Sequence, residues 1–172
     1  MSKKKMFLLS MIFIALFLVV SVKSSTSYID KVISNIDSNG CLTIMYDEKD
    51  TIEFNYNNKK SDIHALEEEP YTFKIKNTCR NKVSYTLRIE SLKGSTIPEE
   101  NIKIEYNKGN IEVLNTKYTS NPIIEDSKGA FLLETGELGA GETQSKTVRV
   151  WLSYNARTAL SDMKYIGKIT IS

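Results

Sequence analysis

Hydrophobic and polar residues alternate along most of the chain, most cleanly over residues 71–90. Tyr71, Phe73 and Ile75 fall on one face and Thr72, Lys74 and Lys76 on the other. After a short polar turn, Val83, Tyr85, Leu87 and Ile89 oppose Ser84, Thr86, Arg88 and Glu90. A period of two gives a strand one wet and one packed face, so this stretch predicts two strands joined as a β-hairpin. The same alternation predicts strands over 41–46 and 52–56, where Ile52, Phe54 and Tyr56 share a face, with a hairpin turn at Asp47 to Asp50. Ile102, Ile104 and Tyr106, then Ile111 and Val113, flank Asn107, Lys108 and Gly109. That pattern predicts a hairpin with the glycine in the left-handed position. Residues 115–128 read as irregular, with Ile123 and Ile124 anchoring them to the core. A short strand follows at 130–134, and Gly136, Gly139 and Gly141 mark a turn. The last pair of strands, 147–154 and 165–171, carries Val148, Val150, Leu152 and Tyr154 on one face and Trp151 on the other, with a helical turn expected over 156–163 between them.

Roughly eight or nine short strands without a sustained helical period predict an all-β fold, an Ig-like antiparallel β-sandwich. The 172 residues, 41% hydrophobic and 26% charged, suit one core and one domain over 40–172.

The N-terminus departs from this pattern. Lys3, Lys4 and Lys5 precede an apolar run from Met6 to Val22, which reads as an export signal. The run is a little shorter than the ~20 residues that span a bilayer comfortably, so residues 1–23 fit either a cleaved signal peptide or a retained membrane anchor. In the second case the protein meets the membrane through residues 6–22. No cysteine closes the run, so lipid attachment is not expected. Residues 24–39 form a leader in which Tyr28, Val32, Ile33 and Ile36 have helical spacing behind Ser27, compatible with a short helix or a flexible segment.

The chain carries 23 basic and 21 acidic residues, and Lys3, Lys4, Lys5 and Lys23 all lie in its first segment. The exported remainder is slightly acidic, which argues against nucleic-acid binding. An exported chain with two cysteines, Cys41 and Cys79, predicts a disulfide between them; two buried thiols are the alternative.

Candidate chemistry is sparse. His64 is the only histidine, and no HExxH, GxSxG or P-loop motif is present. Asp47, Glu48 and Asp50 lack the spacing of a calcium loop and read as a solvated turn. Glu67, Glu68 and Glu69 are consecutive, and neighbours in an extended chain point opposite ways. No catalytic residue, metal or cofactor is therefore expected. Trp151 is either a core residue or, if exposed, a ligand platform.

The order of an export segment, YTFKIKNTC with YTLRIESL, GELGAGET leading into KTVRVWLSY, and YIGKITIS resembles small exported β-sandwich proteins of low-GC Gram-positive bacteria. These are the camelysin and TasA type of surface and biofilm-fibre proteins, in which a phrase like F-x-V-x-N-T-G followed by Y-x-L recurs. Cys79 stands where that phrase has glycine. The resemblance covers about residues 40–172 and implies a non-enzymatic extracellular role. Camelysin-type proteins have been described as metalloproteases, which a chain with one histidine and no zinc motif does not support. Two functions follow as expectations. The first is a surface or matrix module acting through protein contacts, self-associating by strand addition with a donor segment near residues 26–36. The second is a carbohydrate-binding or adhesion module using Trp151 and some of the 9 tyrosines.

Overall fold

A computed structural model describes residues 33–36, 40–156 and 162–172, which belong to one unit spanning Val32–Ser172. The predicted export segment at 1–23 lies outside the described residues, as do most of the leader and the predicted helical turn after Ala156. No described helix is long and apolar enough to cross a membrane.

The fold is an all-β sandwich of two sheets. The first contains β1 (Ile33–Ile36), β2 (Leu42–Tyr46), β5 (Tyr71–Asn77), β11 (Thr143–Ser153), β7 (Ile102–Tyr106) and β8 (Ile111–Val113) in that order, with β4 (Lys59–Lys60) parallel to the end of β11. The second runs β3 (Thr51–Asn55), β12 (Lys164–Ile171), β6 (Val83–Leu92), β10 (Ser127–Leu138) and β9 (Tyr118–Thr119). Among the described residues there is one α-helix, α1 (Asp62–Glu67), capped by Ser61, whose side chain accepts from the His64 N–H. Among the described residues, all pairings other than β4 with β11 are antiparallel.

The longer strands fall where alternation puts them, but two of the three predicted hairpins, 71–90 and 41–56, are not hairpins. β5 and β6 lie in opposite sheets, and so do β2 and β3, β10 and β11, and β11 and β12. Their apolar faces meet across the core: Phe73 and Ile75 look toward the sheet that carries Tyr85, Leu87 and Ile89, all of them buried. The reason is geometric. Sheets stack ~10 Å apart, and four or five extended residues reach more than ~13 Å, so such a loop can turn within a sheet or arch between sheets. The β7–β8 hairpin holds, although its left-handed residues are Asn107 and Lys108 rather than Gly109, whose N–H donates to the Tyr106 carbonyl at 2.9 Å.

Three other expectations change. Ile33–Ile36 of the leader is neither helical nor loose; it is β1, paired antiparallel to β2. Strand β10 continues through Gly136 to Leu138, and the turn is confined to Gly139–Glu142, where Gly141 takes φ 69°. Ile123 is exposed, while Ile124 is half-buried. The backbone N–H groups of Ile123 and Ile124 donate to the buried Glu90 carboxylate at 2.8 and 3.0 Å, and the Thr170 hydroxyl donates to it at 2.8 Å.

The predicted Cys41–Cys79 disulfide is present, with Cα atoms 5.2 Å apart. It ties the start of β2 to the β5–β6 arch, where the Thr78 N–H also donates to the Cys41 carbonyl at 2.7 Å. Replacing both cysteines by serine is expected to lower stability by about 2–4 kcal/mol, because the closed loop restricts the unfolded chain. Urea unfolding of the double variant beside the oxidised parent checks this.

Candidate functional site

Trp151 is 3% exposed, which removes it as a flat platform for a sugar ring. It does not belong to the inter-sheet core, however. Val148, Val150 and Leu152 turn inward along β11, so Trp151 sits on the outer face with Arg149. The cover there is α1. Lys103 on β7 donates to both Asp62 carboxylate oxygens at 2.7 and 2.8 Å, and Arg149 Nε donates to the Glu68 carbonyl at 2.9 Å, strapping both ends of the helix. The Arg149 guanidinium also pairs with the buried Glu105 at 2.8 Å. Beneath this cover the Trp151 Nε1 donor has no hydrogen-bond partner.

Beside Trp151 the first sheet has a notch. β5 flanks β11 as far as Val148, and β4 flanks it only from Leu152, which leaves Arg149, Val150 and Trp151 without a strand on that side among the described residues. A cavity of about 130 Å³ opens there, and Arg149 lines it together with Glu68, Glu69, Tyr71, Val150 and Trp151. Two further clefts adjoin it around Tyr71. One, of about 420 Å³, has Asp47, Glu48 and Glu69 on its wall; the other, of about 260 Å³, has Glu48 and Glu53. The two acidic stretches, each unpromising alone, therefore converge from separate segments. Burial pushes the Tyr71 phenol up, and the Tyr46 phenol and the carboxylates of Asp50, Asp47 and Glu48 push the same way.

The acids are not arranged as a metal centre. Lys168 engages Asp50 and Lys60 engages Glu68, and among the described residues no group of three His, Cys, Asp or Glu side chains is placed to hold an ion. His64 is exposed on α1.

A second polar cluster bridges the two sheets. The Lys146 ammonium, on β11, donates to the Glu134 oxygens on β10 at 2.9 and 2.8 Å. Tyr85 on β6 donates to Oε1 at 2.6 Å, and Tyr106 on β7 donates to Oε2. Gly136 makes room for this: a Cβ there would stand 2.8 Å from the Tyr85 ring. Both carboxylate oxygens are occupied, so the cluster holds the sheets together and has no free lone-pair direction aimed at a substrate.

Burial pushes the Glu134 carboxyl up, but hydrogen bonds from Lys146, Tyr106 and Tyr85 outweigh it and hold the group below its ordinary value of 4.5. A carboxylate depressed on folding stabilises above its unfolded value and loses that contribution as pH falls through the folded one. Burial raises the Tyr85, Tyr106 and Tyr165 phenols above their ordinary 10.0, so their contribution is present below that pH and lost above it. Stability is expected to form a plateau bounded by these two ranges. Thermal melts at stepped pH check it, and Glu134→Gln should flatten the acid limb.

No family model matches the chain, and no curated protein matches it in sequence. Among solved structures, the adhesin domain of Epf from Streptococcus pyogenes is similar at 14% identity and a TM-score of 0.24, covering 83% of this chain. The alignment spans 50% of that domain's own chain, and a likeness of this size carries no argument about function. The camelysin and TasA type is not shown by these comparisons.

Proposed function

We propose that the chain is an exported, non-enzymatic surface or extracellular-matrix module that works through protein contacts and self-associates by exchanging β1 between copies. On this reading residues 1–23 direct export, whether or not they stay in the membrane, and the module follows them. The supporting observation is β1 itself. It is a four-residue edge strand, paired only to β2 among the described residues, and its register shifts between Ser34 and Ile36. An edge strand held by one neighbour can leave and be replaced by the same strand of another molecule with the same backbone bonds. The disulfide supports an oxidising, extracellular compartment, and it staples the chain just after β1, so the rest of the sandwich is held whether or not β1 is in place.

Sedimentation of the exported protein, with and without residues 24–39, tests this. Concentration-dependent association that disappears with the truncation is expected. A strict monomer in both forms would overturn the proposal.

A further inference from the structure

The closed form of the β1–β2 pair depends on one residue outside both strands. The chain leaves β1 at Ile36, opposite Thr43, and reverses direction to enter β2 at Leu42, passing through Gly40. Gly40 is exposed and takes φ 72°, in the left-handed region where a residue with a side chain is strained. Immediately after it the chain is fixed. Cys41 is bonded to Cys79, and the Thr78 N–H donates to the Cys41 carbonyl at 2.7 Å. The Thr78 hydroxyl donates to the carbonyls of Cys41 and Gly40 at 3.0 and 3.3 Å. A movement that carries β1 to another molecule therefore has Gly40 as its last free residue.

We infer that Gly40 is the hinge of β1 exchange and regulates it by keeping the closed molecule free of backbone strain, an inference that rests on the self-association reading above. A chain that folds back on β2 must reverse, and the left-handed residue supplies the reversal. A chain that crosses to a neighbour runs outward from Cys41 with extended backbone, which any residue takes without strain and β-branched residues favour. Both forms keep the same β1–β2 backbone bonds and the same disulfide, so position 40 acts on the difference between them. Glycine is at ease in either form. A Cβ at position 40 penalises the closed form alone.

The test is a series at this position, Gly40→Asn, Gly40→Ala and Gly40→Val, made in the exported protein and followed by sedimentation across concentration. Asparagine tolerates the left-handed region, alanine less and valine least. The ratio of exchanged to closed chains is expected to rise about tenfold for Gly40→Val, less for Gly40→Ala, and to stay near the parent for Gly40→Asn. Circular dichroism should match the parent in all three, and removing residues 24–39 should abolish the association of each. Should Gly40→Val not fold, the order of Gly40→Ala above Gly40→Asn carries the test. Equal association of parent and variants, or weaker association of Gly40→Ala than of Gly40→Asn, would overturn the inference. The same data separate the two readings: association that needs residues 24–39 but ignores position 40 keeps β1 exchange and removes the hinge, while strict monomers throughout remove both.

Discussion

Glu134→Ala is expected to lower stability by about 3 kcal/mol, the low end of the range for breaking a buried ion pair, because Glu134 keeps 28% side-chain exposure. Its partner Lys146 has 8% and would be left as a buried ammonium beside the Tyr85 phenol. The loss comes mainly from that stranded charge rather than from the missing attraction. Replacing both residues, Glu134→Leu with Lys146→Met, should therefore cost less than the single change. Urea unfolding of the two single variants and the double variant checks this. A Glu134→Ala loss under about 1 kcal/mol would mean the cluster is solvated and does not join the sheets.

Asn77→Leu is expected to be of similar size, about 3 kcal/mol, although no charge is involved. Asn77 ends β5 facing inward and is fully buried. Its Nδ2 donates to the carbonyls of Asn81, Leu138 and Gly139 at 2.7, 3.1 and 2.9 Å, and its Oδ1 accepts from the Cys79 N–H at 2.9 Å. One amide thus supplies hydrogen bonds to two arches at the same end of the sandwich, β5–β6 and β10–β11. Leucine fills the volume and leaves those backbone groups without partners. Asn77→Asp should be at least as damaging, since it sets an acceptor against three carbonyl oxygens. In a domain of this size such a loss lowers the melting temperature by about 10 °C, which calorimetry reads directly.

Asn77 also marks the limit of what local alternation reveals. The strands were legible because Phe73, Ile75, Leu87 and Ile89 alternate with polar neighbours, and alternation is a local property. Pairing was not, because a loop such as Thr78 to Lys82 is long enough for either a hairpin or an arch. Asn77 sits among polar turn residues and looks like one more of them; its burial depends on Leu138 and Gly139, far along the chain. Glu90 has the same disguise, lying on the polar face of β6 until the 120–126 segment folds over it. Trp151 could not be placed because its cover, α1, is built from the polar stretch DIHALE, where only Ala65 is buried. The two cysteines were legible because compartment and number together leave few options. The acidic surface was half legible: Glu67 to Glu69 do not converge on one another, but Glu69 meets Asp47 and Glu48 from another loop.

Exchange of β1 between molecules is tested most directly by a covalent trap. Ile33 stands opposite Met45 in the β1–β2 pair, and cysteines placed at both positions would lock whichever strand occupies the β2 edge. If copies exchange β1, the Ile33→Cys, Met45→Cys protein oxidised at associating concentrations will run as a ladder of disulfide-linked multimers on a non-reducing gel. Closed monomers alone, at every concentration tried, would contradict the account.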